Sequence, residues 1–179
     1  MYRAVLALTA ACLLAGCNNM QVRTPAGVSR LAPTRDHQAE GVVNFTQKAD
    51  KVIIEGKITG LTPGLHGFHI HEKGDCSAAD ASSAGPHFNP GGSEHGAPDA
   101  PQRHAGDLGN LIADQTGTAI YRAEIAGISL GTDANSIIGR AIVVHGGTDD
   151  LLSQPAGNSG VRVACGLISL SPDKWFHKQ

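Results

Sequence analysis

The chain has 179 residues, 41% of them hydrophobic and 17% charged, with a formal net charge of −2. That length suits one domain with a real core, and the lack of any lysine or arginine run excludes a charge-driven nucleic-acid or anionic-membrane surface. Twenty-three glycines against only 4% aromatics favour a β-rich fold with many turns over a helical bundle.

The first segment, MYRAVLALTAACLLAGCNNM, carries Arg3, an apolar stretch from Ala4 to Ala15 and small residues before Cys17. It reads as a secretory signal over residues 1–16, too short for a spanning helix of about 20 residues. Leu14-Ala15-Gly16-Cys17 has the form of a bacterial lipobox, in which cleavage leaves Cys17 as a lipidated first residue; a plain signal peptide is the alternative. On the lipobox reading the protein is periplasmic and meets the membrane only through Cys17. Asn18 stands where inner-membrane retention would favour aspartate, so the expected anchor is the outer membrane. Removing residues 1–16 leaves 13 basic against 16 acidic residues, a balance of −3, and takes away Cys12. Cys76 and Cys165 then remain as an even pair in an oxidising compartment, which points to a disulfide; two buried free thiols are the other reading. The bond would close an 89-residue loop, worth about 4 kcal/mol in the chain-entropy model.

Residues 17–37 are polar, hold two prolines and show no periodicity, so the lipidated cysteine is expected to lead into a flexible linker. The folded domain is expected over residues 38–171, with a tail at 172–179. AEGVVNFTQ and KVIIEGKITGL, joined at Lys48-Ala49-Asp50, predict an antiparallel hairpin. In the strand that follows, alternation sends Phe68 and Ile70 to one face and His69 and His71 to the other. From about Lys73 to Gly109 the chain is dense in Gly, Pro, Ser, Asp and Ala, a loop too long for a compact domain unless something other than packing holds it. Strand signals resume at LGNLIAD, GTAIYRAEI, SIIGRAIVVH and VRVACGLISL. The count is seven strands, or eight if one long segment splits, which predicts an all-β sandwich or barrel.

The long loop places His87, His95, His104 and Asp107 at intervals of eight, nine and three residues. Three imidazoles and a carboxylate make the ligand set of a closed tetrahedral zinc site, and metal binding would order a loop that composition leaves unfolded. His69, His71 and His145 lie on strands and form a rigid nitrogen platform that suits copper as well as zinc. Two four-coordinate ions need eight ligand positions, and six histidines with Asp107 provide seven residues. One imidazole binding both ions would close the gap, and His87 is the natural candidate. His66 falls outside the ligand alternation and is expected to be structural; His37 and His177 are expected to be solvated.

GFHIHEKGD, SAGPHFNP, HAGDLGN, IIGRAIVVH and GNSGVRVACG closely resemble the copper/zinc superoxide dismutases in their bacterial periplasmic branch, over roughly residues 38–171. The resemblance implies an eight-stranded Greek-key flattened barrel with long metal-binding and electrostatic loops. It implies copper on His69, His71, His87 and His145, and zinc on His87, His95, His104 and Asp107, with His87 bridging. It implies further that the Cys76–Cys165 disulfide pins the loop to the last strand, that Asp149 links His69 to His95, and that Arg162 attracts the anion beside the copper.

The implied activity is antioxidant: superoxide dismutation to oxygen and hydrogen peroxide, with copper changing oxidation state, His87 carrying a proton, and zinc serving structure. The stretch DDLLSQPAGNSG holds no lysine, and Ala156 stands where many relatives have a hydroxyl facing the channel. Lys73, close to Cys76, is a candidate for steering, with a plain solvated lysine as the favoured alternative. Two other readings are a periplasmic copper or zinc carrier on the same fold, and a structural lipoprotein stiffened by zinc. Arg162 is superfluous in a carrier, and the strand histidines are superfluous in the structural protein. The sequence leaves monomer or homodimer open.

Overall fold

The computed structural model describes residues 25–171. The signal segment, Cys17 and the tail at 172–179 lie outside those residues. Eight antiparallel strands form a closed barrel: β1 (Ala26–Pro33), β2 (Glu40–Lys48), β3 (Lys51–Thr59), β4 (Gly64–His71), β5 (Asp107–Ala113), β6 (Ala119–Ala126), β7 (Ala141–His145) and β8 (Arg162–Leu170). Around the barrel the order is β1-β2-β3-β6-β5-β4-β7-β8, so the connections β3 to β4 and β6 to β7 cross between non-neighbours. That is the expected all-β Greek-key barrel. Closure removes the unpaired edges on which β-proteins aggregate.

Alternation builds the core. Val43 and Phe45 on β2 and Val52, Ile54 and Ile58 on β3 point inward, meeting Phe68 and Ile70 from β4 and Leu111, Ile142 and Ile168 from β5, β7 and β8. Tyr121 on β6 packs edge-on against Phe68 at 5.1 Å and donates its hydroxyl to the Leu108 carbonyl at 2.9 Å. The β2–β3 hairpin turns at Ala49, which takes a left-handed φ of 51°.

Two expectations need correction. The linker does not run to residue 37, because Ala26–Pro33 is β1, paired with β2 on one side and β8 on the other, so the domain starts at or before Ala26 rather than at 38. Its buried residues Ala26, Gly27, Ser29 and Leu31 are mostly small, and ladder hydrogen bonds on both edges hold a strand that hydrophobic pattern alone does not announce. The eighth strand is therefore β1, not a division of a longer segment. SIIGRAIVVH yields one strand, starting only at Ala141, after a turn at Gly139 with φ 82°.

The whole of β4 from His66 to His71 is buried. Phe68 and Ile70 enter the barrel, and the opposite face is roofed by residues 72–106, the long loop between β4 and β5. That loop is laid on the strand by paired backbone bonds: Phe88 N–H to the Ile70 carbonyl at 2.8 Å, and Ile70 N–H to the Gly106 carbonyl at 2.9 Å. A Cβ at Gly106 would overlap the Ile70 carbonyl, so the close approach requires glycine there. Register shifts between Gly67 and His69 and between Val144 and His145 re-aim the neighbouring histidines, a common use of bulges next to functional sites.

Candidate metal centre

Six histidines and one aspartate, all buried, gather between β4, β7 and the long loop in two groups that share His87. His69, His71, His87 and His145 form one; His87, His95, His104 and Asp107 form the other. Within each, the candidate ligand atoms lie within 4.8 Å of one another. The strand histidines come from β4 and β7, which pair directly, His69 opposite Val143 and His71 opposite Ala141.

Each ring that the structure ties at one nitrogen offers the other to the interior. His69 Nε2–H donates to Asp149 Oδ2 at 2.8 Å, His71 Nδ1–H to the Gly85 carbonyl at 2.8 Å, and His145 Nδ1–H to the Gly160 carbonyl at 3.2 Å. His95 Nε2–H donates to Asp149 Oδ1 at 2.9 Å. These partners fix the tautomers and leave lone pairs on the inward nitrogens. His69 Nδ1, His87 Nε2 and His95 Nδ1 are buried with no hydrogen-bond partner at all. An orphaned buried nitrogen is costly unless something accepts its lone pair, and a cation does.

The second group is gathered closely around one oxygen of Asp107. His87 Nδ1, His95 Nδ1 and His104 Nδ1 stand 2.8, 3.0 and 3.2 Å from Asp107 Oδ1, and 3.4 Å separates His87 Nδ1 from His104 Nδ1. Ligand atoms around a tetrahedral zinc with bonds of about 2.0–2.1 Å lie roughly 3.3–3.4 Å apart; the His87–His104 separation matches that spacing, while Asp107 Oδ1 stands nearer the three rings. In the first group, 3.4 Å separates His71 Nε2 from His145 Nε2. Three imidazoles and a carboxylate suit zinc, and four imidazoles, three of them on rigid strands, suit copper. His87 offers Nδ1 to one group and Nε2 to the other.

Protonation favours metal. Burial, with the nearby charges of His87 and Arg162, holds His71 well below its ordinary value; burial pushes His87 down to about 4 and His145 to about 3. Burial alone would raise Asp107, yet hydrogen bonds from His104 and His87 outweigh it and hold the carboxylate ionised. At neutral pH these groups are neutral imidazoles and a carboxylate, the forms that bind metal.

Asp149, in the connection between β7 and β8, reaches both groups through one carboxylate. Gly157 makes room for it: at φ 65°, a Cβ there would overlap Asp149 and crowd His95 Nε2. Asn110 on β5 clamps the Asp149 backbone in both directions, accepting its N–H at 2.8 Å and donating to its carbonyl at 2.9 Å. Sequence reasoning did not single out Asn110; its position three residues after Asp107 is the one available signal.

Arg162, half-buried at the start of β8, donates to the Ala81 and Gly85 carbonyls at 2.6 and 2.7 Å. The same Gly85 oxygen receives the His71 ring, so the guanidinium is fixed beside a candidate copper ligand. The Cys76–Cys165 disulfide, with Cα atoms 5.8 Å apart, ties the segment carrying Ala81 and Gly85 to β8. The stem of Lys73 runs beside Gly85. Ala156 lines a cleft of about 310 Å³ against His145, with Gln154, Pro155, Asn158, Ser159 and Gly160, and no cationic side chain among them. His66 is structural: Nδ1 and Nε2 each lie 2.8 Å from a backbone carbonyl, of His145 and Thr62 respectively, leaving neither nitrogen for a metal. His37 is half-buried rather than fully solvated, and His177 lies outside the described residues. The family model described as copper/zinc superoxide dismutase matches residues 39–168.

Proposed function

The chain belongs to the copper/zinc superoxide dismutase family, and from that premise we propose that it is an active dismutase, converting superoxide to oxygen and hydrogen peroxide. Copper would be held by His69, His71, His87 and His145, and zinc by His87, His95, His104 and Asp107. Bound copper supplies one-electron redox chemistry, and bound zinc, which has none, supplies structure and charge.

The remaining work falls to the chain's own groups. Arg162, held by two carbonyls, presents a fixed positive charge that draws a small anion toward the four-histidine group. His87 Nε2, buried and unpartnered by protein, is the atom that holds and delivers a proton to the product. The observation that carries this reading is the pair of four-ligand groups sharing His87; support for catalysis over carriage comes from Arg162, which a metal carrier does not require.

We further propose that residues 1–16 are a lipoprotein signal and that Cys17 is lipidated, placing the enzyme in the periplasm on the outer membrane. The short stretch between Cys17 and β1 then serves as its tether.

Superoxide decay should be followed with purified protein loaded with both metals, beside His69→Ala and Arg162→Ala. Rapid decay that vanishes without His69 and falls strongly without Arg162 supports the dismutase. Tight binding of both metals with decay no faster than free copper replaces it with a carrier. Mass spectrometry of the mature N-terminus tests Cys17, and an unmodified cysteine there rejects the anchor.

A further inference from the structure

His95 sits in irregular chain between β4 and β5, with no strand or helix to fix its backbone. Its zinc-side companions are better supported. His87 pairs with His71 in an isolated bridge, and the His104 N–H donates to Asp107 Oδ2 at 2.8 Å. The backbone of His95 is held instead by a side chain from another segment. Gln154 Oε1 accepts the His95 N–H at 2.9 Å, and Gln154 Nε2 donates to the His95 carbonyl at 3.0 Å. Among the described residues no other hydrogen bond reaches that backbone. A further contact, from Nε2 to the Leu152 carbonyl at 3.2 Å, fixes the amide on its own segment.

The connection between β7 and β8 therefore grips His95 twice, at the ring through Asp149 and at the peptide through Gln154. Two bonds on opposite sides of one residue fix where its Cα–Cβ bond points, and so where Nδ1 lies. We propose that Gln154 is a positioning residue for zinc, which holds His95 Nδ1 toward His87, His104 and Asp107 and thereby makes zinc retention depend on the order of the β7–β8 connection. The inference rests on the reading of those four residues as the zinc site. Copper retention by the zinc-free protein is independent of Gln154, because His69, His71 and His145 are carried by strands.

The test is competition with a chromophoric chelator, measuring zinc and copper dissociation constants for the full mature chain, for Gln154→Ala and for Gln154→Met, which keeps the shape of the side chain but makes neither bond. Leu152→Ala, an exposed change in the same segment, controls for general loosening. Both Gln154 variants should lose zinc affinity about 10-fold, the lower end of what removing an outer partner of a ligand costs. Copper affinity titrated in the absence of zinc and the thermal unfolding of the metal-free protein should stay at wild-type values, as should both affinities in Leu152→Ala. Zinc affinity within twofold of wild type in either Gln154 variant overturns the inference, as does an equal loss of zinc and copper. A wild-type chain that takes up no zinc overturns the zinc assignment itself, a different outcome from a wild type that binds zinc and variants that bind it equally well.

Discussion

Asp149 shows how much one residue can carry. Its two oxygens accept from His69 and His95 at 2.8 and 2.9 Å, and an asparagine in its place could accept from only one of them, presenting an N–H to the other. Asp149→Asn should therefore lower the affinity of at least one metal by about 10- to 100-fold, read by chelator competition. Arg162 is a second case. Arg162→Ala should slow superoxide decay by roughly 10-fold, within the range of electrostatic steering, and Arg162→Lys should recover only part, since an ammonium cannot span both carbonyls in the guanidinium's geometry.

Protonation sets a third expectation for the metal-free protein. His87 and His145 titrate near 4 and 3 when folded, mainly through burial, against an ordinary value of 6.5. Between those values the unfolded chain binds more protons, so the stability these groups contribute is full above pH 6.5 and drains away as pH falls from 6.5 to about 3. Urea midpoints of the metal-free protein should fall progressively over that interval, and a flat profile between pH 6.5 and 4 would contradict the burial argument. The ligand residues were legible in the sequence because the fixed spacing of His87, His95, His104 and Asp107, and the alternation at His69 and His71, are local. Asn110 and Gln154 were not, because each acts on the backbone of a segment some tens of residues away, and nothing near them in the chain records which segment that is.

Among the elements, β1 marks the limit of reading by pattern. A strand whose buried residues are alanine, glycine, serine and leucine looks like a linker until its neighbours are known, and its neighbours are β2 and β8. Those two strands would be left as open edges without it. A chain starting at Ala39 should aggregate or unfold well below the temperature at which one starting at Pro25 does, measured by thermal scanning with light scattering. The disulfide is the other elemental device. Reducing it, or Cys76→Ser, should cost up to about 4 kcal/mol of stability and should also lower activity, because the released segment carries Ala81 and Gly85, the two carbonyls that hold Arg162. The pairing was readable from cysteine arithmetic, whereas its service to Arg162 was not.

At the scale of the molecule, charge runs against the substrate. The chain carries a formal net charge of −2, and the cleft at His145 has no cationic side chain in its wall. On the proposed function, guidance falls to Arg162, and Lys73, whose stem lies beside Gly85, is the other cation to test. Fields of opposite sign partly cancel at long range, so the rate of superoxide decay should change by less than about threefold between roughly 0.01 and 0.15 M ionic strength, over which the Debye length shrinks from about 30 to about 8 Å. Lys73→Glu should lower the rate at the low end of that range and much less at the high end.

The shared Asp149 carboxylate also makes the two metals thermodynamic partners. Whichever ion binds first stills that carboxylate and, through it, the histidine awaiting the other ion, so part of the ordering cost of the second event has already been met. Linkage then demands symmetry: whatever factor zinc lends to the affinity for copper, copper must return to zinc. A chain starved of one metal thus becomes a poorer competitor for the other as well, and its loading responds to the joint supply of both rather than to either alone.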